Sequence, residues 1–394
     1  MGCTSFSSIT QLFRTGTLKL KPTDGGERVC VVHVSSAHPW TDNRIHYREC
    51  VSLQKTGYDV HLIAIESAVE APKTAVHVVA LPRLPRLKRV VFGSVRAVRH
   101  GLKTRASIFH LHDPELVWAV PLLRLLGKKV IFDAHEDLPI QVLSKEYLAP
   151  WSRTLMKAAA YAAVGLMKMS NHVIAATETI AGRFPEDRVS VVHNYPPLRA
   201  VESAATPVAE REKLLVYVGA MGATRGAAQM VDTLNSPSFP ADWRLELAGS
   251  MAPALADELG AAPGWSRVNF HGPVPPDEAR NIILSARVGL VVLQGSRAYR
   301  ESLPTKMFEY FAAGVPVIAS DFPLWRSIIE RYECGLLVNE NSPVEIADAV
   351  AAYAANPVLL EQHSRNARKA ATDVFNWTQE VPTLEAVYQR VLSA

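Results

Sequence analysis

Cysteine is scarce in this chain: four residues in 394, at Cys3, Cys30, Cys50 and Cys334, with no C-x-x-C pair and no framework spacing. That pattern excludes a disulfide scaffold, argues against a structural zinc site and, with no signal-peptide-like apolar run ahead of it, leads to the expectation of a reducing cytoplasm. Long hydrophobic runs are missing too. The best candidate, residues 158–167, is ten residues long and bounded by Lys157 and Lys168, which excludes a bilayer-spanning helix. Neither G-x-G-x-x-G nor G-x-x-x-x-G-K-[ST] occurs, which disfavours a nicotinamide dehydrogenase or a P-loop NTPase. The fourteen aspartates form no D-x-D, no H-E-x-x-H spacing is present, and no short-period repeat is visible.

What is present is globular. Hydrophobic residues make up 48% and charged residues 20% of the chain, and its length suits two domains with a cleft between them. Charge is unevenly spread: residues 1–200 carry 26 Lys or Arg against 16 Asp or Glu, a net of +10, while residues 201–394 carry 16 against 22, a net of −6. The two halves therefore face different surroundings. Residues 1–27 are rich in Ser, Thr and Gly and read as a mobile leader; Phe6 stands where a myristoylation signal wants Ser or Thr. From Val29 onward, β-branched runs (VCVVHV, DVHLIAI, SIFHLH, KKVIFDA, NHVIAA, VSVVH) alternate with helical patterns, the first over about Asn43 to Lys55. After a Pro- and Ala-rich linker at 198–212 the alternation restarts with LLVYVG, WRLELAG, RVNFHG, VGLVVL, VPVIAS and CGLLV. Strands that are apolar throughout, separated by helices, predict an α/β protein with two tandem Rossmann-like, doubly wound parallel sheets. The units are expected at 28–197 and 213–375, with a final helix over 376–394 whose Val381, Leu384, Val387, Tyr388 and Val391 recur at docking-helix spacing. Ligands of such sheets bind beyond the carboxyl ends of the strands.

The densest signal is ESLPTKMFEYFAAGVPVIAS, residues 301–320. Pro304 fits the first turn of a helix, which leaves Glu301 on the preceding loop and Glu309 within the helix. Backbone N–H groups at Thr305 and Lys306 then point out of the helix start, a ready phosphate site, and Glu309 can accept hydrogen bonds from a polyol such as ribose. Bare, the two glutamates read equally as a solvated helix face. Other polar groups collect at predicted strand ends: His38, Asp42 and Arg44 after the first strand, His112 and Asp113 after SIFHL, and His135, Glu136 and Asp137 after KKVIFDA. Asn194 reads as a contact or as a turn residue before the Pro pair.

Taken together, the Glu-x7-Glu motif running into A-x-G-x-P-V-I-A-S resembles the retaining glycosyltransferases of family 4. HVSSAHPWTDNRI at 33–45, HLHDPEL at 110–116, VVHNYPP at 191–197, YVGAMGATRG at 217–226 and FNWTQE at 375–380 add to the resemblance. It implies a GT-B architecture: an N-terminal acceptor domain, a C-terminal nucleotide-sugar domain and a last helix returning to the first. It also implies donor contacts from Gly219, Arg225, Pro304, Thr305, Lys306 and Glu309, with Glu309 on the ribose and Glu301 on the donor sugar. His112 would touch substrate, and His38, Asp42, Arg44, His135 and Glu136 would approach the acceptor. Where many members carry G-R-L and then Lys-Gly, this chain has Gly219-Ala220-Met221 and then Arg225-Gly226, so Arg225 and Lys306 are left as the diphosphate cations. The catalytic set expected is His112, Glu301, Arg225 and Lys306.

The function implied is metal-independent, cofactor-free transfer of a hexose from a nucleoside diphosphate sugar to a hydroxyl of a glycan or lipid-linked acceptor, with retention by front-face attack. The missing D-x-D agrees, since the metal-bridged glycosyltransferase fold uses that motif. Rival readings are a nucleotide-sugar epimerase or hydrolase on the same fold and a non-catalytic sugar-nucleotide binding protein. Nucleic acid is disfavoured, because no aromatics interleave the basic charges. Between Ala71 and His112 no acidic residue occurs, while Arg83, Arg86, Lys88, Arg89, Arg96, Arg99, Lys103 and Arg105 supply eight positive charges. At 100° per residue Val91, Val95, Val98 and Leu102 form one stripe, so this helix is expected to lie on an anionic membrane, at the inner face of the cell membrane, unless the stripe packs on the sheet.

Overall fold

The computed structural model describes residues 23–24, 27–67, 72, 74–143, 150–198 and 206–394. Most of the expected leader, and residues 199–205 of the expected linker, lie outside the described residues. Two parallel sheets dominate. The first comprises β1 (Cys30–Pro39), β2 (Asp59–Ile65), β3 (His77–Leu81), β4 (Ile108–Leu111), β5 (Lys129–Ala134), β6 (His172–Ala175) and β7 (Val189–Val191), in the order β3-β2-β1-β4-β5-β6-β7. The second comprises β8 (Leu214–Val218), β9 (Arg244–Ala248), β10 (Val268–Gly272), β11 (Val288–Val291), β12 (Val317–Ser320) and β13 (Gly335–Val338), in the order β10-β9-β8-β11-β12-β13. Each sheet reverses direction beside its first strand, and that reversal opens a crevice at the carboxyl ends.

The continuous apolar runs are explained by helices on both faces. In β1, Val32 and Val34 face one core with Phe109, Phe132 and Val164, and Val31 faces the other with Ile108, Ile131 and Tyr388. Tyr388 belongs to the helix Trp377–Ser393, which follows the second sheet in sequence yet packs on the first through Trp377, Leu384, Val387, Tyr388 and Val391. The chain thus crosses between the units twice, and the crossings are tied where the Trp377 N–H donates to the Pro196 carbonyl at 3.0 Å.

Two helical stretches depart from α geometry. Asn43–Cys50 is π-helical before becoming α over Val51–Lys55, and Arg89–Gly93 is π-helical between Arg86–Lys88 and Ser94–Lys103. The second departure overturns the expected apolar stripe. A π segment takes more than 3.6 residues per turn, so Val91, within it, is out of phase with Val98, which is buried on the sheet beside Ala97 and Gly101. Val91 is exposed, and so is Val95, which shares the α segment with Val98 but sits on the flank of its buried face.

Candidate functional site

A cavity of about 390 Å³ opens where the carboxyl ends of the two sheets meet. From the first unit, His38, Asp42, His135, Glu136, His193 and Asn194 line it; from the second come Tyr299, Glu301, Thr305 and Phe308.

Asp113 organises the wall after β1. Its carboxylate accepts from Ser35 Oγ at 2.8 Å and from the Ser36 and Ala37 amides at 2.6 and 3.1 Å, and pairs with His38 Nδ1 at 2.8 Å. Burial alone would lower the His38 pKa; the Asp113 contact, with Asp42 and Glu136 nearby, outweighs it and raises the ring to about 9. A folded value above the unfolded one of roughly 6.5 means that this pair's stabilisation is complete below that pH and is lost as pH rises through about 9. Denaturant midpoints should therefore fall between pH 6 and 9.5, and Asp113→Asn should flatten that part of the profile; an unchanged slope would remove the pair as its source. His193 behaves alike: its ring, 3.1 Å from Glu380 and 3.3 Å from Glu178, is raised to about 9 against the effect of burial.

The other wall is set by the helix Thr305–Ala312. Met307, Phe308, Tyr310, Phe311 and Ala312 are buried against the second sheet, and Tyr310 fits only because residue 289 is glycine, where a Cβ would come within 2.3 Å of the ring. Trp325 Nε1 donates to the Ser302 carbonyl at 2.7 Å and Ser320 Oγ to that of Leu293 at 2.8 Å, which pins the loop ahead of the helix. Pro304 occupies the cap rather than the first turn, and no side chain caps the helix start. Lys306 Nζ donates to the Tyr217 hydroxyl at 3.1 Å and lies 4.3 Å above that ring, and Arg225 stands close enough to Tyr217 and Tyr299 that their hydroxyls hold its pKa up. Gly226 holds the turn below Arg225 at φ 72°, where a Cβ would sit 2.2 Å from the Val292 carbonyl oxygen. Burial, then the Arg225 charge, lower the Lys306 pKa to about 8. Neither cation makes an ion pair within 4 Å among the described residues. Gly219, at φ 140°, comes close enough that a Cβ would be 3.4 Å from Lys306 Nζ. Glu309 is held above the usual carboxylate range by burial, opposed by Arg48 and Lys306, while Glu301 pairs with Arg297 at 3.1 Å. The result is a concave site with Glu301 and the helix start at Thr305 on one wall and carboxylates and imidazoles on the other; of the expected donor residues, Gly219, Arg225, Pro304, Lys306 and Glu309 stand outside its lining.

Residues 43–195 match the Glycosyltransferase Family 4 family, and residues 199–370 match Glycosyl transferases group 1. The chain belongs to the family 4-like glycosyltransferases of GT-B fold. Among curated proteins, the enzyme is 25% identical over 242 residues to the glycosyltransferase YtcC of Bacillus subtilis, covering 55% of this chain and 58% of that one. It is 29% identical over 181 residues to the D-inositol 3-phosphate glycosyltransferase of Acidothermus cellulolyticus, covering 43% and 38%. These alignments span less than two thirds of either relative. Sucrose-phosphate synthase from Thermosynechococcus elongatus shares the fold at a TM-score of 0.72 and 18% identity, covering 93% of this chain and 100% of that one. Anabaena HepE, solved with UDP and glucose, does so at 0.68 and 12%, covering 92% and 100%.

Two expected contacts of the glycosyltransferase need correction. His112 is fully buried and does not line the cavity, because it lies on the sheet face covered by the last helix; its Nδ1 is 3.2 Å from Asp133 and its Nε2 is 2.9 Å from His33 Nδ1. Arg44 borders the cavity, but its guanidinium turns inward, with Nε and Nη2 on Asp133 at 2.9 and 2.7 Å and Nη1 on the Val192 carbonyl at 3.0 Å. It holds the wall together and has no fork left for an acceptor. Behind it the bonding continues: His33 Nε2 lies 3.0 Å from the Tyr388 hydroxyl, which lies 2.9 Å from His110 Nδ1. Burial, their largest influence, holds all three histidines below their ordinary pKa, and Arg44 holds Asp133 ionised against its own burial. An ionised carboxylate only accepts, so His112 Nδ1–H donates to Asp133, His33 Nδ1–H to His112, Tyr388 O–H to His33, and His110 Nδ1–H to Tyr388. Sequence reasoning passed over His193, whose place after an apolar strand was legible, and Tyr299, which no local pattern announces.

Proposed function

We propose that the enzyme transfers a hexose from a nucleoside diphosphate sugar to a hydroxyl, with retention at the anomeric carbon and without a divalent metal. The observation that carries this is the Arg225–Lys306 pair: two adjacent cations that make no ion pair within 4 Å among the described residues, beside an uncapped helix start, suit a diphosphate whose charge grows as it leaves. In this reading residues 213–375 hold the donor, with Glu309 on the ribose and Glu301 on the sugar, and residues 28–197 receive the acceptor between His38, Asp42, His135, Glu136 and His193. The bond from anomeric carbon to phosphate oxygen breaks as the acceptor oxygen attacks the same face. The acceptor proton passes to the departing phosphate oxygen. Mass spectrometry of reactions with a panel of nucleotide sugars and glycan or lipid-linked hydroxyl acceptors should find a transferred hexose, with turnover nearly unchanged by EDTA. Release of free sugar alone would favour a hydrolase, and loss in EDTA restored by magnesium or manganese would overturn the metal-free reading.

A cytoplasmic enzyme working at the inner membrane face fits the surface of the first unit. Leu87 and Phe92 are 83% and 67% exposed among Arg86, Lys88 and Arg96, and Leu125 and Leu155 are exposed on further helices of the same layer. Each Lys or Arg near anionic lipid contributes about 1 kcal/mol, and the apolar side chains can enter the headgroup boundary. Flotation with anionic vesicles at low salt should recover the protein; neutral vesicles, high salt or reversal of Arg86, Lys88, Arg96 and Arg99 to Glu should not. Equal recovery with both lipids would remove the membrane from the proposal.

A further inference from the structure

At the end of the first sheet away from the cavity, four donor side chains converge. Cys30, Asp59 and His77 are the first residues of β1, β2 and β3, and His61 stands two residues into β2. Cys30 pairs in register with Asp59 and His61 with His77, and residues two apart on a strand share a face, so all four side chains project from one side of the sheet. Asp59 lies between the rings: Oδ2 is 3.5 Å from His61 Nε2 and Oδ1 is 3.5 Å from His77 Nε2, with the rings stacked at 4.9 Å between centroids. One ligand atom each from Cys30, Asp59 and His61 fall within 4.8 Å of one another. Each imidazole lies 3.5 Å from a different Asp59 oxygen, and His77 stands outside the group of three, next to it across Asp59.

We propose that Cys30, Asp59 and His61, with the exposed His77 ring turning in as the fourth ligand, bind a divalent transition ion of the zinc type. The Cys30 thiol, which donates to the Thr104 carbonyl at 3.6 Å, would release its proton to solvent on binding, and a thiolate, a carboxylate and two imidazoles form the mixed soft and borderline set that such ions prefer to magnesium or calcium. The site is open enough to load after folding, since the Asp59 and His77 side chains are 39% and 65% exposed. Its effect is mechanical: β3 is an edge strand paired only with β2, and an ion held by residues of all three strands fastens it to β1. The site lies at the opposite strand ends from the donor cations, so this inference is independent of the transfer reaction.

The test uses the full chain, stripped with chelator and titrated with cobalt and zinc. One equivalent should bind, the cobalt form should show a thiolate-to-metal charge-transfer band in the near ultraviolet, and zinc should raise the melting temperature. Cys30→Ser should abolish the band. Because the His77 ring is largely exposed, His77→Ala should leave the fold intact and weaken cobalt binding at least about tenfold. Absence of stoichiometric binding, binding without a thiolate band, a band that survives Cys30→Ser, or full cobalt affinity in His77→Ala would each overturn the proposal. Affinity for UDP should be the same in all these proteins.

Discussion

Calorimetry with UDP or another accepted nucleoside diphosphate should show a ten- to hundredfold loss of affinity for Arg225→Ala and for Lys306→Ala. A charge-assisted hydrogen bond contributes about 1.5 to 3 kcal/mol, and about 1.4 kcal/mol is a factor of ten. The double variant should lose more than either single one but less than their product, because the two cations are close enough for the Arg225 charge to lower the Lys306 pKa and both would serve one diphosphate. Protonation supplies a second signature. With its pKa lowered to about 8 by burial and Arg225, Lys306 is partly neutral in the free enzyme near that pH. A bound diphosphate restores the ammonium, so binding at pH 8 should take up protons, measurable as a dependence of the apparent enthalpy on buffer ionisation, and Lys306→Met should lose it. Unchanged affinity in both single variants, with melting temperatures near that of the parent, would move the donor elsewhere.

Removing residues 377–394 should leave a chain that does not fold. Trp377, Leu384, Val387, Tyr388 and Val391 are each at most 5% exposed in the core they share with the first sheet. At roughly 1.5 to 3 kcal/mol per large apolar side chain, their burial is worth on the order of 10 kcal/mol, comparable to the whole stability of a typical domain. The helix also brings Glu380 to His193 at the cavity wall, so loss of activity should accompany loss of solubility. A milder probe is Tyr388→Phe, which keeps the packing and removes the hydroxyl between His33 and His110; it should cost about 1 to 3 kcal/mol in denaturant melts. A soluble, active truncated enzyme would show that the helix adds little.

The two parallel sheets and the helix start after residue 304 were legible because each depends on local patterns. Continuous apolar runs announced two buried parallel sheets, and Pro304-Thr305-Lys306 announced a helix start, one residue later than read. The first unit's wall was legible only in part. His38 and His135 stand where strand ends place them, but His112, with the same sequence signal, lies beneath the last helix, and nothing near residue 112 tells which sheet face a helix begun at residue 377 will cover. Arg44 failed for a related reason: its partners Asp133 and Val192 are remote in sequence. The phase shift at Arg89–Gly93 is a backbone event that an ideal helical wheel does not represent. The Cys30, Asp59, His61 and His77 cluster arises from cross-strand register, so it has no spacing to read.

The buried run from His110 through Tyr388, His33 and His112 to Asp133 has a sense of direction. Every member gives its hydrogen toward the carboxylate, so the bond dipoles add instead of cancelling, and each bond polarises the next. The run begins at His110 Nε2, a bare lone pair with no donor beside it. Reversing any one link would require reversing all of them and would leave Asp133 facing a lone pair. The buried Glu49 carboxyl, 3.8 to 3.9 Å from Nδ1 of all three histidines, borders the same run, so the last helix and the back of the cavity wall are joined in one electrical unit.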